Sequence, residues 1–247
     1  MTYKTDGSVH YQGIANEHDT IKILNQLGIY EQTISHLGGT KNKADAQTET
    51  KKLTIKRKNG IHNGSFDWVN TSVYNDIING FDEFYEDIKT HRNLDEKYRI
   101  ASVDLFRSQF NKLCSEALDN INSQQLSKFI LDVFEKQVNY DVIVNDVKTK
   151  TLYIFEATSH PAYKLIQSGY TPVLVNTRQA KTSRKIILTQ NNHSVDTGLR
   201  MRITSNNGIN AFLGLSKSNS NSQVVVKLQQ DKIQNLLKTV TPKIYSY

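Results

Sequence analysis

The chain has 247 residues, 37% of them hydrophobic and 22% charged, with a formal net charge of +7. That length and composition suit a folded chain with a sizeable core and exclude a disordered or low-complexity one. No apolar run approaches the roughly 20 residues of a membrane span, and the opening MTYKTDGSVHYQG lacks a signal-peptide core, so a cytoplasmic protein with no membrane partner is expected.

In chain order, IANEHDTIKILNQLG reads as a helix with Ile14, Ile21, Leu24 and Leu27 on its apolar face and Gly28 as its stop. Residues 44–50 and 51–58 read as the two arms of a hairpin. In the second arm, Leu53 and Ile55 alternate with Thr54, Lys56 and Lys58. A polar loop follows. Helical periodicity then covers about 73–91, about 102–121 and about 123–138, the last with Ser123 as N-cap. From residue 139 strands dominate: YDVIV, TLYIFEA, TPVLV, RKIILT, LRMRIT, NAFLGLS and QVVVKL, with a helix at about 230–238. The expected fold is α/β (α+β), a central mixed β-sheet flanked by helices with a strand-rich C-terminal half. It is expected as one domain over 1–247, with a helix and hairpin (1–72), a helical segment (73–138) and a strand-rich half (139–247). Two lobes around a cleft remain open. The single cysteine, Cys114, lies in a helical pattern and reads as a small buried hydrophobe.

The positive charge is unevenly spread. Residues 41–58 hold seven Lys/Arg against two acids, and 178–185 (RQAKTSRK) hold four against none. Such segments favour a polyanion, because neutralising phosphates releases counterions. Within the first segment stand the groups that hydrolysis of a phosphodiester needs: a carboxylate to hold a metal ion and a cation beside it. Asp45 and Lys56 reach one face if they occupy adjacent hairpin strands, and Thr54 shares that face. Mg²⁺ takes oxygen ligands and keeps several waters. Glu17 in the first helix is the candidate second carboxylate, ahead of Asp67 and Glu49, and the Ile55 carbonyl is a further oxygen. The competing reading of this stretch is a solvated basic hairpin.

The run Gly38-Gly39-Thr40-Lys41-Asn42-Lys43-Ala44-Asp45-Ala46, followed by Leu53-Thr54-Ile55-Lys56, resembles the PD-(D/E)xK nucleases. More narrowly, it resembles small type II restriction endonucleases that cut four-base sites such as CCGG. The tail LRMRITSNNGINAFLGLSKSNSNSQVVVKLQQDKI resembles the closing hairpin of a GCGC-cutting relative, and Glu17 is placed like that group's N-terminal helical glutamate. The resemblance implies a restriction-endonuclease-like fold and Mg²⁺-dependent cutting of double-stranded DNA by a monomer or homodimer. It also implies a cognate DNA methyltransferase. Asp45 matches the metal-binding aspartate and Lys56 the catalytic lysine. Thr54 stands where the pattern usually has Glu or Asp, and Asn or Gln in closer relatives, so it brings a hydroxyl without a charge.

Contacts to DNA are expected from Lys41, Lys43 and Lys58 on the hairpin and from Ser65, Asp67 and Asn70 in the loop IHNGSFDWVNTS. Phe66 and Trp68 of that loop serve equally well as core anchors. Arg178, Lys181, Arg184 and Lys185 read as phosphate contacts. Asn206, Asn207, Asn210, Ser216 and Lys217 read as base contacts or as plain surface turns. Asp141 and Glu156 imitate the D…E-x-K pattern but lack a lysine two residues on, and read as sheet residues. The histidines show no HExxH spacing, and neither a phosphate-binding GxxxxGK[ST] loop nor a GxSxG elbow occurs.

Overall fold

In a computed structural model, the chain is described at residues 8–37, 44–58, 67–70, 77–176, 182–205, 208–216, 222–228 and 232–247. The described residues form two sheets, and the chain divides into two compact units. The first unit comprises 1–66, 134–164 and 230–247, and the second 67–133 and 165–229.

The first unit is built on helix α1 (Ser8–Gln26) and a six-stranded mixed sheet. Its strands are β1 (Ser35–His36), β2 (Ala46–Gln47), β3 (Lys52–Lys58), β5 (Tyr140–Asp146), β6 (Thr151–Glu156) and β11 (Lys243–Ser246), in that spatial order. Only β3 and β5 pair in parallel; the other neighbours are antiparallel. One face of the sheet packs on α1. Ile21 and Leu24 of the helix join Ala46, Leu53, Ile55, Ile143, Leu152 and Ile154 in one buried cluster. Side chains alternate along a strand, so Thr54 and Lys56 project from the opposite face.

Every residue of β5 is buried, including three polar ones, and each has a partner, as burial demands. Asp141 accepts from Tyr30 Oη at 2.8 Å and Lys51 Nζ at 3.2 Å. Asn145 donates to Thr20 Oγ1 at 2.9 Å and accepts from Tyr247 Oη at 2.7 Å. Asp146 binds Lys58 Nζ at 2.7 Å.

The second unit joins three helices to a five-stranded antiparallel sheet. The helices are α2 (Phe81–His91), α3 (Glu96–Asn120) and α4 (Ser123–Glu135), whose last residues fall in the first unit. The strands are β4 (Asp67–Asn70), β10 (Ser222–Leu228), β9 (His193–Ser205), β8 (Ser183–Gln190) and β7 (Thr171–Asn176), in that order. Phe106, Phe110, Cys114 and Leu118 recur every fourth residue of α3 and are buried. Phe110 meets Phe84 of α2 with ring centroids 5.7 Å apart. Cys114 is buried as expected, and burial pushes its thiol pKa up, which leaves it unreactive.

Several boundaries differ from the sequence reading. Asn122, not Ser123, caps α4: its Oδ1 accepts the Gln125 N–H at 2.9 Å, and Gln125 Oε1 accepts the Asn122 N–H at 3.2 Å, a reciprocal capping box. The segment NAFLGLS is not a strand. It contains the end of helix α6 (Gly208–Phe212) and a turn at Gly214, whose φ of +69° glycine adopts without strain. The expected loop at 61–72 carries strand β4 at its described part, paired with β10. Strand β11 was not anticipated. Helix α7 (Ile233–Val240) and the short helix α5 (Pro161–Gln167) complete the chain.

His160 is fully buried beside Phe134 and Tyr163, and its Nδ1 accepts the Ala162 N–H at 3.1 Å. Burial pushes its pKa down to about 3. In the unfolded chain the group titrates near 6.5, so the unfolded state binds the proton first as the pH falls. Its contribution is therefore intact above about pH 6.5 and is lost toward pH 3, at roughly 1.4 kcal/mol per pH unit. Denaturant unfolding at a series of pH values should show this slope, and His160→Asn should flatten it.

Candidate active site

The turn between β2 and β3 sets the register of the hairpin. Thr48 N–H donates to the Lys51 carbonyl at 2.8 Å, and Thr48 Oγ1 accepts from the Lys51 N–H at 3.0 Å and the Thr50 N–H at 3.3 Å. A hydroxyl closing its own turn in this way is what favours Thr and Ser at such positions. Ala46 then pairs with Leu53, and Asp45, the residue before it, lies along the same edge of β3 with its N–H on the Leu53 carbonyl.

Asp45 is fixed through its backbone and its side chain. Its N–H donates to the Leu53 carbonyl at 2.9 Å, and its own carbonyl accepts from Leu37 N–H at 3.1 Å. Its Oδ2 accepts the Ile55 N–H at 2.6 Å. Lys56 Nζ lies 3.8 Å from the same Oδ2, and both side chains are about a fifth exposed. The hairpin thus places the two groups together, as their spacing implied.

The backbone of β3 supplies one more oxygen. Lys52 N–H bonds to the Asn139 carbonyl and Lys58 C=O accepts from Val147 N–H, so even-numbered residues direct their backbone groups toward β5. Leu53 and Ile55 direct theirs toward Asp45, and the Ile55 carbonyl emerges on that edge. The Asp45 carboxylate thus lies beside the Lys56 ammonium, with Thr54 on the same face of β3 as Lys56 and the Ile55 carbonyl on the strand edge that Asp45 occupies. This donor set is all oxygen and fits Mg²⁺, which needs only one or two protein carboxylates when a substrate phosphate and water complete its shell. Among the described residues, no group of three or more His, Cys, Asp or Glu side chains could hold a metal.

Glu17 is placed elsewhere. Its Oε2 lies 2.9 Å from His36 Nε2, and the His36 ring lies 4.2 Å from that of His18, tilted by 39°. His36 pairs with Ala46, whose side chain belongs to the α1 face. Alternation thus sets Glu17 on the α1 side and Thr54 and Lys56 on the other. The Glu17 carboxylate is thus engaged by His36, on the face of the sheet that packs on α1.

Asp141 and Glu156, the second acidic pair, face each other across β5 and β6. The lysine absent from their local sequence comes from the β2–β3 turn: Lys51 Nζ is 3.2 Å from Asp141 Oδ1 and 3.2 Å from Glu156 Oε1. Partial burial lowers the Lys51 pKa, but the two hydrogen bonds outweigh this and hold it above the ordinary lysine value. Burial, and then the Asp141 charge, push the Tyr30 hydroxyl up. This cluster shares the α1 face with Leu53, the cross-strand partner of Asp141.

The expected DNA contacts separate into groups. Lys41, Lys43, Ser65, Arg178, Lys181, Asn206, Asn207 and Lys217 lie outside the described residues. Asp67 and Asn70 bound strand β4. Lys58 is buried against Asp146, whose carboxyl burial would raise but whose bonds to Lys58 and Thr149 hold below the usual range. Arg184 is also buried. Its guanidinium bonds Asp119 at 2.9 Å, Ser115 at 3.0 Å and the Ser183 carbonyl at 3.2 Å. Lys58 and Arg184 are therefore internal ion pairs rather than surface contacts. Lys185 is partly exposed and pairs with Asp196 at 2.7 Å. Asn210 lies in α6, where its carbonyl accepts from Leu215 N–H at 2.7 Å, and Ser216 follows the Gly214 turn, partly buried.

Removing one member of a buried pair leaves the other charge uncompensated. Lys58→Ala should lower unfolding stability by about 3–5 kcal/mol, where an ordinary surface lysine would change it by no more than about 0.5 kcal/mol; chemical denaturation measures the difference. No protein-family model, curated protein or solved structure matched this chain.

Proposed function

We propose that the chain is a Mg²⁺-dependent, sequence-specific endonuclease of double-stranded DNA, of the type II restriction kind. The observation that carries this reading is the Asp45 carboxylate, tied to the Ile55 amide at 2.6 Å with Lys56 at 3.8 Å. The order of elements supports it too: a helix, an antiparallel hairpin bearing the two groups, a helical segment and a strand returning parallel to β3. Mg²⁺, when bound, neutralises charge developing on the phosphate and lowers the pKa of a bound water.

The protein's own groups divide the remaining work. The free Asp45 oxygen and the Ile55 carbonyl would hold the ion, with the Thr54 hydroxyl as a further oxygen on the same face as Lys56. Lys56 donates hydrogen bonds to the attacking water or to a phosphate oxygen, which orients the one and stabilises the charge on the other. Thr54 adds a neutral oxygen, so the substrate phosphate supplies much of the negative charge the cation requires. Water adds to phosphorus as the bond to the leaving oxygen breaks, giving a phosphate monoester and a free hydroxyl. A cutter of this kind requires protection of its host's own sites, so a DNA methyltransferase is the companion activity proposed.

One observation favours a second placement of the centre, the Lys51 bridge between Asp141 and Glu156. The burial of Asp141 and its bond from Tyr30 favour instead a brace across β5 and β6. Variants separate the two. Asp45→Asn and Lys56→Ala should each reduce plasmid cleavage by about a hundredfold or more and leave duplex binding and the unfolding midpoint near wild type. Asp141→Asn should lower the unfolding midpoint and retain cleavage below it. Wild-type cutting rates in Asp45→Asn or Lys56→Ala would remove the assignment. Salt-sensitive binding by the wild type with no cutting would favour a non-catalytic DNA-binding protein, and cutting confined to junctions or damaged duplex a repair nuclease.

A further inference from the structure

Two arginines of the second unit meet at one backbone position. Arg92 follows the last turn of α2, where its N–H caps the Lys89 carbonyl at 3.1 Å, and Arg99 lies in the first turn of α3. Helix α6 is packed against α2 through Phe212, whose ring meets Tyr85 at 5.2 Å and Phe81 at 6.4 Å. That packing delivers the Gly214 turn to the corner between α2 and α3. Arg99 Nη1 donates to the Leu213 and Gly214 carbonyls, each at 3.1 Å. A Cβ on Gly214 would meet Arg99 Nη1 at 3.2 Å, Arg92 Nε at 3.5 Å and Arg92 Nη2 at 3.9 Å. Both guanidiniums therefore lie within contact distance of a single point, which only a glycine leaves open.

Two like charges this close repel, and a fold normally answers with a carboxylate. In the same unit, Arg107 closes on Asp104 at 2.7 Å and Arg184 on Asp119 at 2.9 Å. Among the described residues, neither Arg92 nor Arg99 has an acidic partner. The Arg99 Nε–H is buried and has no acceptor there either. Arg92 is exposed, so the pair opens to solvent on one side. Arg99 keeps its Nη2 donors and Arg92 its guanidinium, and together their uncompensated double positive charge suits the oxygens of a phosphate.

We propose that Arg92 and Arg99 clamp one phosphate of a nucleic-acid backbone. Arg99, oriented by two carbonyls, is the fixed jaw. Arg92 is the mobile one, supplying a charge-assisted bond from the exposed side. The clamp carries no base information; it adds affinity and register. The choice of duplex DNA as the polyanion rests on the endonuclease reading above.

The test is equilibrium binding of a fluorescent duplex by the full chain in EDTA, over a series of salt concentrations, for wild type, Arg92→Gln and Arg92→Lys. Loss of one phosphate contact should weaken binding by Arg92→Gln and reduce the slope of log affinity against log salt by about one. Arg92→Lys should restore the slope and part of the affinity. The melting temperature of Arg92→Gln should match wild type, because the side chain is exposed and unpaired. Independently, bound duplex should protect Arg92 of the wild type from phenylglyoxal, read by peptide mass analysis, which keeps the test valid should the variant fold poorly. A wild type that binds and cuts while Arg92→Gln keeps its affinity and slope, with Arg92 unprotected, overturns the clamp alone. A wild type that binds no duplex overturns both the clamp and the endonuclease reading.

Discussion

The parallel pairing of β3 with β5 is the constraint on which the first unit depends. β5 is buried along its whole length, so it must satisfy Asp141, Asn145 and Asp146 from inside the protein. It does so with groups drawn from the end of the chain (Tyr247), from the region of α1 (Thr20 and Tyr30), and from the turn before β3 and the end of β3 (Lys51 and Lys58). Those bonds fix β3 at both ends. The antiparallel side of β3 is held by the Thr48 turn and by Asp45, whose carboxylate takes the Ile55 amide. A strand held this way carries Thr54 and Lys56 on a face that cannot slip by one residue without burying the lysine.

The hairpin was legible because its signal is local. Period-two alternation separated Leu53 and Ile55 from Thr54 and Lys56, and a short connection predicts antiparallel pairing. The buried faces of α2, α3 and α4 were legible for the same reason, through recurrence at three and four residues. What failed was non-local or chemically ambiguous. Lys58 finds Asp146 88 residues later, and Arg184 finds Asp119 65 residues earlier. Nothing in the sequence around a lysine shows that a distant aspartate will neutralise it. The Lys51 bridge to Asp141 and Glu156 is non-local in the same way, at separations of 90 and 105 residues. NAFLGLS reads as a strand in sequence because a short apolar run does not distinguish helix from strand. Asn122 lost to Ser123 because both are good caps, and the Gln125 that completes the capping box was the signal to have used.

The charge balance shifts accordingly. Part of the basic character that suggests a polyanion is spent on the fold. Lys51, Lys58, Arg184 and Lys185 each hold an acid at 2.7 to 3.2 Å. Arg92 and Arg99 have no such partner among the described residues, and they meet at one backbone position. Counting lysines and arginines thus says less about nucleic-acid binding than asking which of them the fold leaves unanswered.

The central claim is that the Asp45–Lys56 edge belongs to a catalytic centre for cutting DNA at defined sites. Incubating the purified wild-type chain with supercoiled plasmid and Mg²⁺, with an EDTA control, tests it most directly. The expected products are a small set of discrete linear fragments, the same in every digest and absent in EDTA, with ends that sequence to one short motif. Intact plasmid at all protein concentrations, or ends of random sequence, would contradict it.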